Sequence, residues 1–318
     1  MKEGKVVITG GSGFIMSHVA ERLVEIGKDV TLFDNNEQHA VYEETQELLK
    51  TEKNVKFVQG DVRDRAAVDT LVKDAEIVYH FAALIGTSSR FKEWEIPTVE
   101  VNVIGTINVL QASLNAGVRY FVHPPRPALA AWQTPYIISK TTQTLFTQMY
   151  RTIYGLPTIG LNIANCYGPR ERAVLNTNPL RLHEGRKMVA SNIIAALKNE
   201  PVIVFGDGKQ SSDFVYVDDI VECCLRAPRD SAIGQVIDLG TGISTPVRRV
   251  AELIIELTRS NSKIEYVPMR TGEVKSHTKA DLTNAKKYLD WEPKVRLEEG
   301  LKKTIPYYAN LLGLKSPV

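Results

Sequence analysis

Lys5-Val6-Val7-Ile8-Thr9-Gly10-Gly11-Ser12-Gly13-Phe14-Ile15-Met16 is the stretch whose reading decides the fold. Lys5–Thr9 is a short apolar run that predicts a buried strand, and glycines end it. From Phe14 to Gly27 the apolar residues recur at helical spacing, with Gly27 placed to close the helix. A glycine-rich turn between strand and helix lets backbone N–H groups approach a phosphate, and the helix N-terminus adds partial positive charge. Gly10 and Gly13 have the spacing for that task. A glycine cluster alone suits a plain tight turn equally well, so the flanking sequence has to decide.

The flanking sequence repeats the same alternation. Strands are predicted at Val30–Phe33, Val55–Val58, Ile77–Phe81, Tyr120–Val122 and Thr158–Ile163. Helices are predicted at Val41–Lys50, Arg65–Lys73, Val99–Ala116 (closed by Gly117) and Tyr136–Tyr154. This order predicts an α/β fold, a Rossmann-type doubly wound parallel sheet. Ligands of such sheets lie at the carboxyl ends of the strands. The loops Gly10–Gly13, Asp34-Asn35-Asn36, Asp61-Val62 and Ala82-Ala83 all fall there. Asp34 follows the glycines by about 20 residues, where a carboxylate accepts hydrogen bonds from an adenosine ribose and repels a 2′-phosphate. The expected cofactor is therefore NAD. Met16 stands where the third glycine of the pattern belongs, so close packing at the cofactor has to accommodate a thioether.

After about residue 165 the pattern changes. Cys166–Arg186 is rich in Pro, Asn and Arg and reads as a long functional loop. A helix (Val189–Leu197), two strands (Val202–Phe205, Phe214–Val217), a helix N-capped by Asp218 and running through Leu225, and two later helices (Val250–Leu257, Leu297–Tyr308) follow. The division expected is a NAD-binding domain over residues 1–165 and a smaller substrate lobe over 166–318, with the chain returning to the first domain around 213–242.

The composition sets broad limits. The chain has 318 residues, 43% hydrophobic and 24% charged, with a formal net charge of +2. Nothing in that balance points to nucleic acid or a membrane surface. Three cysteines show neither metal-ligand spacing nor a disulfide framework, and the N-terminal apolar run is too short for a signal peptide. A soluble cytoplasmic protein without a metal is expected.

Tyr136 and Lys140 lie four apart on a predicted helix and so share a face. A lysine ammonium beside a phenol favours the phenolate, which could take a proton from a substrate hydroxyl during hydride transfer. The spacing alone says little. The position of the pair, on the helix after the fifth strand, carries the argument.

Taken together, these segments resemble the NAD-dependent nucleotide-sugar epimerase/dehydratase family of extended short-chain dehydrogenase/reductases. The likeness is carried by Ile8–Ile15, Gly60-Asp61-Val62-Arg63-Asp64, Val78–Ala83, Asn102–Thr106 and Tyr136–Lys140. It continues through Asn165–Arg170, Val204–Gly208, Phe214–Asp219, Arg270–Glu273 and Trp291-Glu292-Pro293. The resemblance implies that Tyr136 and Lys140 are catalytic. It implies cofactor contacts at Gly10, Gly13, Phe14, Ile15, Asp34, Asn35, Asn36, Asp61, Val62, Ala82, Ala83, Asn102, Tyr136 and Lys140. Asn165, Val204, Phe205, Gln210, Arg270 and Glu273 would meet the nucleotide sugar, with Phe205 near the base and Arg270 on the diphosphate. The helices around Val99–Ala116 and Tyr136–Tyr154 would pair in a homodimer.

Three positions depart from the family. Residues 123–135 (His-Pro-Pro-Arg-Pro-Ala-Leu-Ala-Ala-Trp-Gln-Thr-Pro) replace a serine-rich stretch and lack the hydroxyl and acidic residues expected there. Thr134 is the lone hydroxyl, too near Tyr136 to be assumed a substitute. Ser212 stands where a diphosphate-binding Arg is usual, and Met16 is the third departure. Three functions stay open: a C4 epimerase of a UDP-sugar acting through a transient 4-keto intermediate; a UDP-glucuronate decarboxylase, sugar dehydratase or ketosugar reductase; and a catalytically impaired nucleotide-sugar-binding homologue. The epimerase demands the fewest of the missing residues. The basic residues Arg170, Arg172, Arg181, His183, Arg186 and Lys187 could hold a uronate carboxylate, or simply face solvent or a diphosphate.

Overall fold

The computed structural model describes residues 4–36, 47, 50–85, 91–126, 133–171, 187–270 and 272–318. Six strands in the first half, β1 (Lys5–Thr9), β2 (Val30–Asp34), β3 (Val55–Gln59), β4 (Ala75–His80), β5 (Tyr120–His123) and β6 (Thr158–Ile163), join Val236–Leu239 (β10 in chain order) in one sheet. The order is β10-β6-β5-β4-β1-β2-β3, and every neighbouring pair is parallel. This is the Rossmann-type sheet expected from the sequence, with its edge completed by a strand from the second half.

Both faces of the sheet are covered, which is why its strands are nearly continuous apolar runs. Val6 and Ile8 enter one core, and Val7 enters the other. Tyr79 and Val78, then Val122 and Phe121, divide the same way. The helices are α1 (Phe14–Glu25), α2 (Arg65–Val72), α3 (Phe91–Val99), α4 (Thr106–Ala116), α5 (Pro135–Tyr154), α6 (Met188–Leu197), α7 (Val217–Arg226), α8 (Val247–Thr258), α9 (Thr283–Leu289) and α10 (Leu297–Leu311). α1 packs on α7 and α2 on α4. Two smaller sheets serve the second half. Strands β7 (Asn165–Tyr167), β9 (Ser211–Tyr216) and β11 (Ser244–Pro246) make one, and β8 (Val202–Phe205) with β12 (Ile264–Val267) the other. The core on the α1 face runs on without a break into Val202, Val215, Ile254 and Leu301.

Several expectations are corrected. The helix foreseen at Val99–Ala116 starts at Phe91 and passes through a π-helical segment, Glu100–Gly105, before α4. Gly105 is pressed against Val62, where an added Cβ would lie 2.5 Å from Val62 Cγ2. Asp218 does not cap its helix. The N-cap is Tyr216, and Asp218 falls in the first turn with Asp219, where the helix dipole favours acidic side chains. The Asp219 carboxylate accepts the main-chain N–H groups of Lys294 and Val295 at 3.0 Å each. Met16 is swallowed by the core at 1% exposure, so its thioether replaces the third glycine by filling space beneath the loop. Most of the helix expected at Val41–Lys50 lies outside the described residues. No helix among the described residues is long and apolar enough to cross a membrane.

Asp213 on β9 holds the second half together. It is fully buried and accepts bonds from Thr241 N (2.7 Å), Thr241 Oγ1 (2.6 Å), Gly242 N (2.8 Å) and Ala280 N (3.2 Å). Four donors on one carboxylate compensate its desolvation, and removing it strands all four. Asp213→Ala should lower unfolding stability by about 2–4 kcal/mol, read as a reduced urea midpoint at unchanged slope.

Candidate active site

The carboxyl edge of the sheet is assembled around Gly10. Its φ of +71° suits only glycine, and a Cβ there would lie 2.7 Å from Ala82 N. The turn after β1 therefore sits directly on the turn after β4. Gly10 N and Gly11 N both donate to Phe33 O, at 2.9 and 3.3 Å, which ties the loop to β2 as well. Gly13 is the N-cap of α1 and no side chain caps it. Phe14 and Ile15, in the first turn, are half-buried against the core. Asp34, at the end of β2, accepts from Ser12 N (3.1 Å) and Asn36 N (2.9 Å). Burial raises its carboxyl above the usual range, and those N–H groups work against the rise. Each carboxylate oxygen keeps lone-pair capacity for a diol.

These residues fit a dinucleotide. The uncapped helix N-terminus, the cradle at Gly10, and Ser12 Oγ, buried without a partner, are the features such a ligand would use. Asn35 Nδ2 donates to Asp61 Oδ2 at 3.2 Å. Burial works to raise the Asp61 carboxyl, but the Arg63 guanidinium and main-chain N–H bonded to it prevail and hold it below its ordinary value. Val62 is buried against the π-helical segment, and Asn108 Nδ2 donates to its carbonyl.

A buried hydrogen-bonded chain fixes the turn after β4. Thr106 Oγ1 donates to Asn102 O at 2.7 Å, so it accepts from His80 Nε2 at 2.8 Å. His80 Nδ1 is then the acceptor for Thr9 Oγ1 at 2.7 Å. His80 is thus neutral with its proton on Nε2, and burial, followed by the Lys140 and His123 charges, holds it well below its ordinary value. Asn102, expected at the cofactor, is wholly buried. Its Oδ1 accepts from Leu84 N (2.7 Å), and Nδ2 donates to Leu84 O (3.1 Å) and Ser139 Oγ (2.9 Å). All its hydrogens are committed to protein groups, so the contact expected there becomes a clamp between the Ala82-Ala83 loop and α5.

That clamp aims α5, the helix that carries Tyr136 and Lys140. Ser139 lies between Tyr136 and Lys140, and its Oγ donates to Tyr136 O at 2.9 Å. Thr134 caps α5 by accepting from Ile137 N at 3.1 Å, and Pro135 occupies the first turn. The lone hydroxyl of segment 123–135 is therefore spent on the helix start. Lys140 is 3% exposed; burial first, and the Arg126 charge second, depress its ammonium to about 7. Burial raises the Tyr136 phenol, and Arg126 is the charge that works to lower it. With its ammonium depressed, Lys140 carries less of the charge expected to favour the phenolate. Arg126 is not among the site residues expected from the sequence, and its main-chain N–H donates to Thr144 Oγ1 on the same helix at 2.8 Å.

In the second half, Phe205, Gln210, Arg270 and Glu273 come together. Gln210 Nε2 donates to Phe205 O at 2.6 Å, and the Arg270 guanidinium lies 5.2 Å from the Phe205 ring centre. Glu273 takes Arg270 in a two-bond fork, at 2.7 and 2.5 Å. Val204 is fully buried and can offer a ligand only its main chain, which corrects its place among the substrate contacts. Asn165 is exposed on β7, and Ser212 Oγ accepts from Thr278 Oγ1 at 3.2 Å. The loop after Asn165 is tied back to α1 by His18 Nε2 donating to Pro169 O (3.0 Å) and by Arg170 on Glu21 (2.7 Å). Arg172, Arg181, His183 and Arg186 lie outside the described residues, as do residues 127–132 of the proline-rich stretch. Among the described residues no cluster of His, Cys, Asp and Glu could hold a metal.

Comparison with known proteins shows the family. The NAD dependent epimerase/dehydratase family matches residues 6–124, and the GDP-mannose 4,6 dehydratase family matches residues 127–304. The UDP-N-acetyl-alpha-D-glucosaminuronate decarboxylase of Bacillus cytotoxicus is 31% identical over 96% of this chain and 98% of its own. The UDP-glucose 4-epimerase of Thermotoga maritima, solved with UDP-glucose, superposes with a TM-score of 0.85 at 31% identity, covering 97% of this chain and 99% of its own. That of Thermus thermophilus, solved with NAD, gives 0.80 at 26% identity, covering 96% and 98%. The chain belongs to the NAD-dependent epimerase/dehydratase family. It is an enzyme of the sugar-nucleotide type, and NAD is its cofactor.

The Lys140 assignment has a thermodynamic consequence. Its proton is lost near pH 7 when folded, against 10.5 for the ordinary group. Between those values the unfolded chain binds a proton that the folded protein has shed, so folding becomes more favourable as pH rises. Lys140→Met removes that slope. Urea midpoints at the two ends of the window should show the wild type gaining stability relative to the variant toward the alkaline end.

Proposed function

We propose that this chain is a UDP-sugar C4 epimerase. The observation that carries the reading is the placement of Tyr136 and Lys140 on α5, locked through Ser139 and Asn102 to the loop that also meets Gly10. Residues 1–165 with β10 would hold NAD, and the remainder of 166–318 the nucleotide sugar. Gly10, Gly13 and the α1 N-terminus would take the pyrophosphate, Asp34 the adenosine ribose, and the Asp61-Val62 turn the adenine. NAD, when bound, supplies a reversible hydride acceptor at sugar C4. Tyr136 takes the proton of the C4 hydroxyl and returns it, and the same pair serves either face if the sugar turns over. Arg270, released in part from Glu273, would meet the diphosphate beside Phe205, with Gln210 and Asn165 at the sugar nucleotide. This route asks least of segment 123–126, where Pro and Arg stand in place of hydroxyl and acidic groups. A decarboxylase shares every contact named so far and is favoured by the 31% relative.

The protein would act as a cytoplasmic homodimer. Ile96, Val99 and Ile104 along α3 and the π-helical segment are exposed, as are Ile138, Leu145, Ile153 and Tyr154 on the adjoining α5. Such an apolar face fits a second copy of itself. The three cysteines are unpaired, as in a reducing compartment.

Incubation with UDP-hexoses and UDP-hexuronates should yield their C4 epimers, resolved by chromatography, without release of CO₂. Tyr136→Phe should lower turnover by about 10²–10⁴-fold. An NAD-loaded protein inert toward the whole panel would sink the reading, and released CO₂ would replace it with decarboxylation. Light scattering should give twice the chain mass, and Leu145→Glu with Ile153→Glu should halve it.

A further inference from the structure

We propose that Gln143 is a positioning residue for the reaction, its amide holding the Lys140 ammonium through one internal water. The proposal rests on the reading of Tyr136 and Lys140 as the reacting pair and adds the group that keeps the second of them in place.

Position comes first. Lys140 and Gln143 lie three apart on α5, which sets their Cβ atoms about 5–6 Å from each other on one face. That face is turned into the protein, and the two residues are 3% and 1% exposed. The other polar side chains buried along it are committed elsewhere. Ser139 Oγ is held between Asn102 Nδ2 and Tyr136 O. Thr144 Oγ1 donates to Lys140 O at 2.9 Å and accepts from Arg126 N at 2.8 Å. Thr147 Oγ1 donates to Gln143 O at 3.0 Å, and the Tyr150 hydroxyl donates to Gln111 Oε1 at 3.0 Å. Gln143 alone among them has a side chain whose two polar atoms, Oε1 and Nε2, are both buried without a protein partner.

Energetics come next. A primary amide carries two donors and two acceptor sites, and burying all four unpaired is costly. In a dry interior an apolar side chain of the same length is the more stable choice. A water bonded to the amide removes the cost, and it needs a further polar partner to stay. The Lys140 ammonium, one turn away with three donors, supplies that partner. Gln143 makes no direct bond to it, so the water spans the gap. The water accepts from Lys140 Nζ and donates to Gln143 Oε1, an arrangement that favours the ammonium over the neutral amine. Burial first, and Arg126 second, work the other way. Charge kept on Lys140 is charge available to the Tyr136 phenolate. Tyr136 shares the helix face, and Arg126 beyond β5, His80 on β4 and His123 on β5 interact with Lys140 through their charges. Burial keeps both histidines neutral and raises the Tyr136 phenol, so none of these groups changes charge where Lys140 does.

The NAD-loaded protein tests this without turnover. Lysine labelled with ¹³C at Cε gives a resonance for Lys140, assigned by its loss in Lys140→Met, that follows the ammonium through its titration. Gln143→Met keeps the length and removes the amide, and it should lower the midpoint by about one pH unit. Gln143→Glu sets a carboxylate in the same place and should raise it. Circular dichroism and thermal melting show that both variants are folded. Near neutral pH Gln143→Met should also lower kcat for C4 epimerisation about fivefold, the fall in charged Lys140 that such a shift produces, with KM unchanged. A crystal structure of the wild type should show a water bonded to the Gln143 amide. A midpoint that neither folded variant moves, or an amide that no water meets, would overturn the assignment. Should no UDP-sugar be turned over, the UDP-sugar reading falls, while a shifted midpoint still places Gln143 on Lys140.

Discussion

The close approach of Gly10 to the main chain at Ala82 governs this molecule. Two turns that follow strands β1 and β4 share one small volume, and no side chain fits between them. Because the strands are parallel and adjacent, their carboxyl ends must emerge together. The Thr9–His80–Thr106 chain then sets the height of the second turn, and Asn102 passes that setting to α5 through Ser139. A single glycine conformation is in this way coupled to the aim of Tyr136.

Asn102, Val103 and Gly105 are all buried in the π-helical segment, and the Asn102 amide there has both hydrogens committed to protein groups. Polar groups this deep are tolerated because they are paired. Ser12 Oγ, Arg126 Nε and both ends of Gln143 are among the buried polar atoms of the described residues that have no protein partner.

Much of the fold was legible because parallel strands covered on both faces are written as apolar runs, and β1 to β6 stand out for that reason. β10, β12 and α9 are four to seven residues long and carry little periodic signal of their own. They form because a core already present receives them. The π-helical segment was invisible because its sequence is as good an α-helix as its flanks. Asp218 looked like a cap by residue type, but the chain enters that helix two residues earlier, directly after β9.

The sequence by itself determined six of the seven strands of the sheet, the glycine-rich turn after β1, the acidic residue at the end of β2 and the helix carrying Tyr136 and Lys140. These are local matters: burial periodicity, glycine conformations and residues four apart on one helix. Only the tertiary structure decided what those residues face. Asn102 is a clamp because Leu84 and Ser139 surround it, and Met16 is core because α1 lies flat on the sheet. Lys140 loses basicity because the fold buries it first of all, with the charge of Arg126, fourteen positions earlier in the chain, as the second cause. Electrostatic character belongs to the neighbourhood rather than to the residue, and the neighbourhood exists only once the chain has folded.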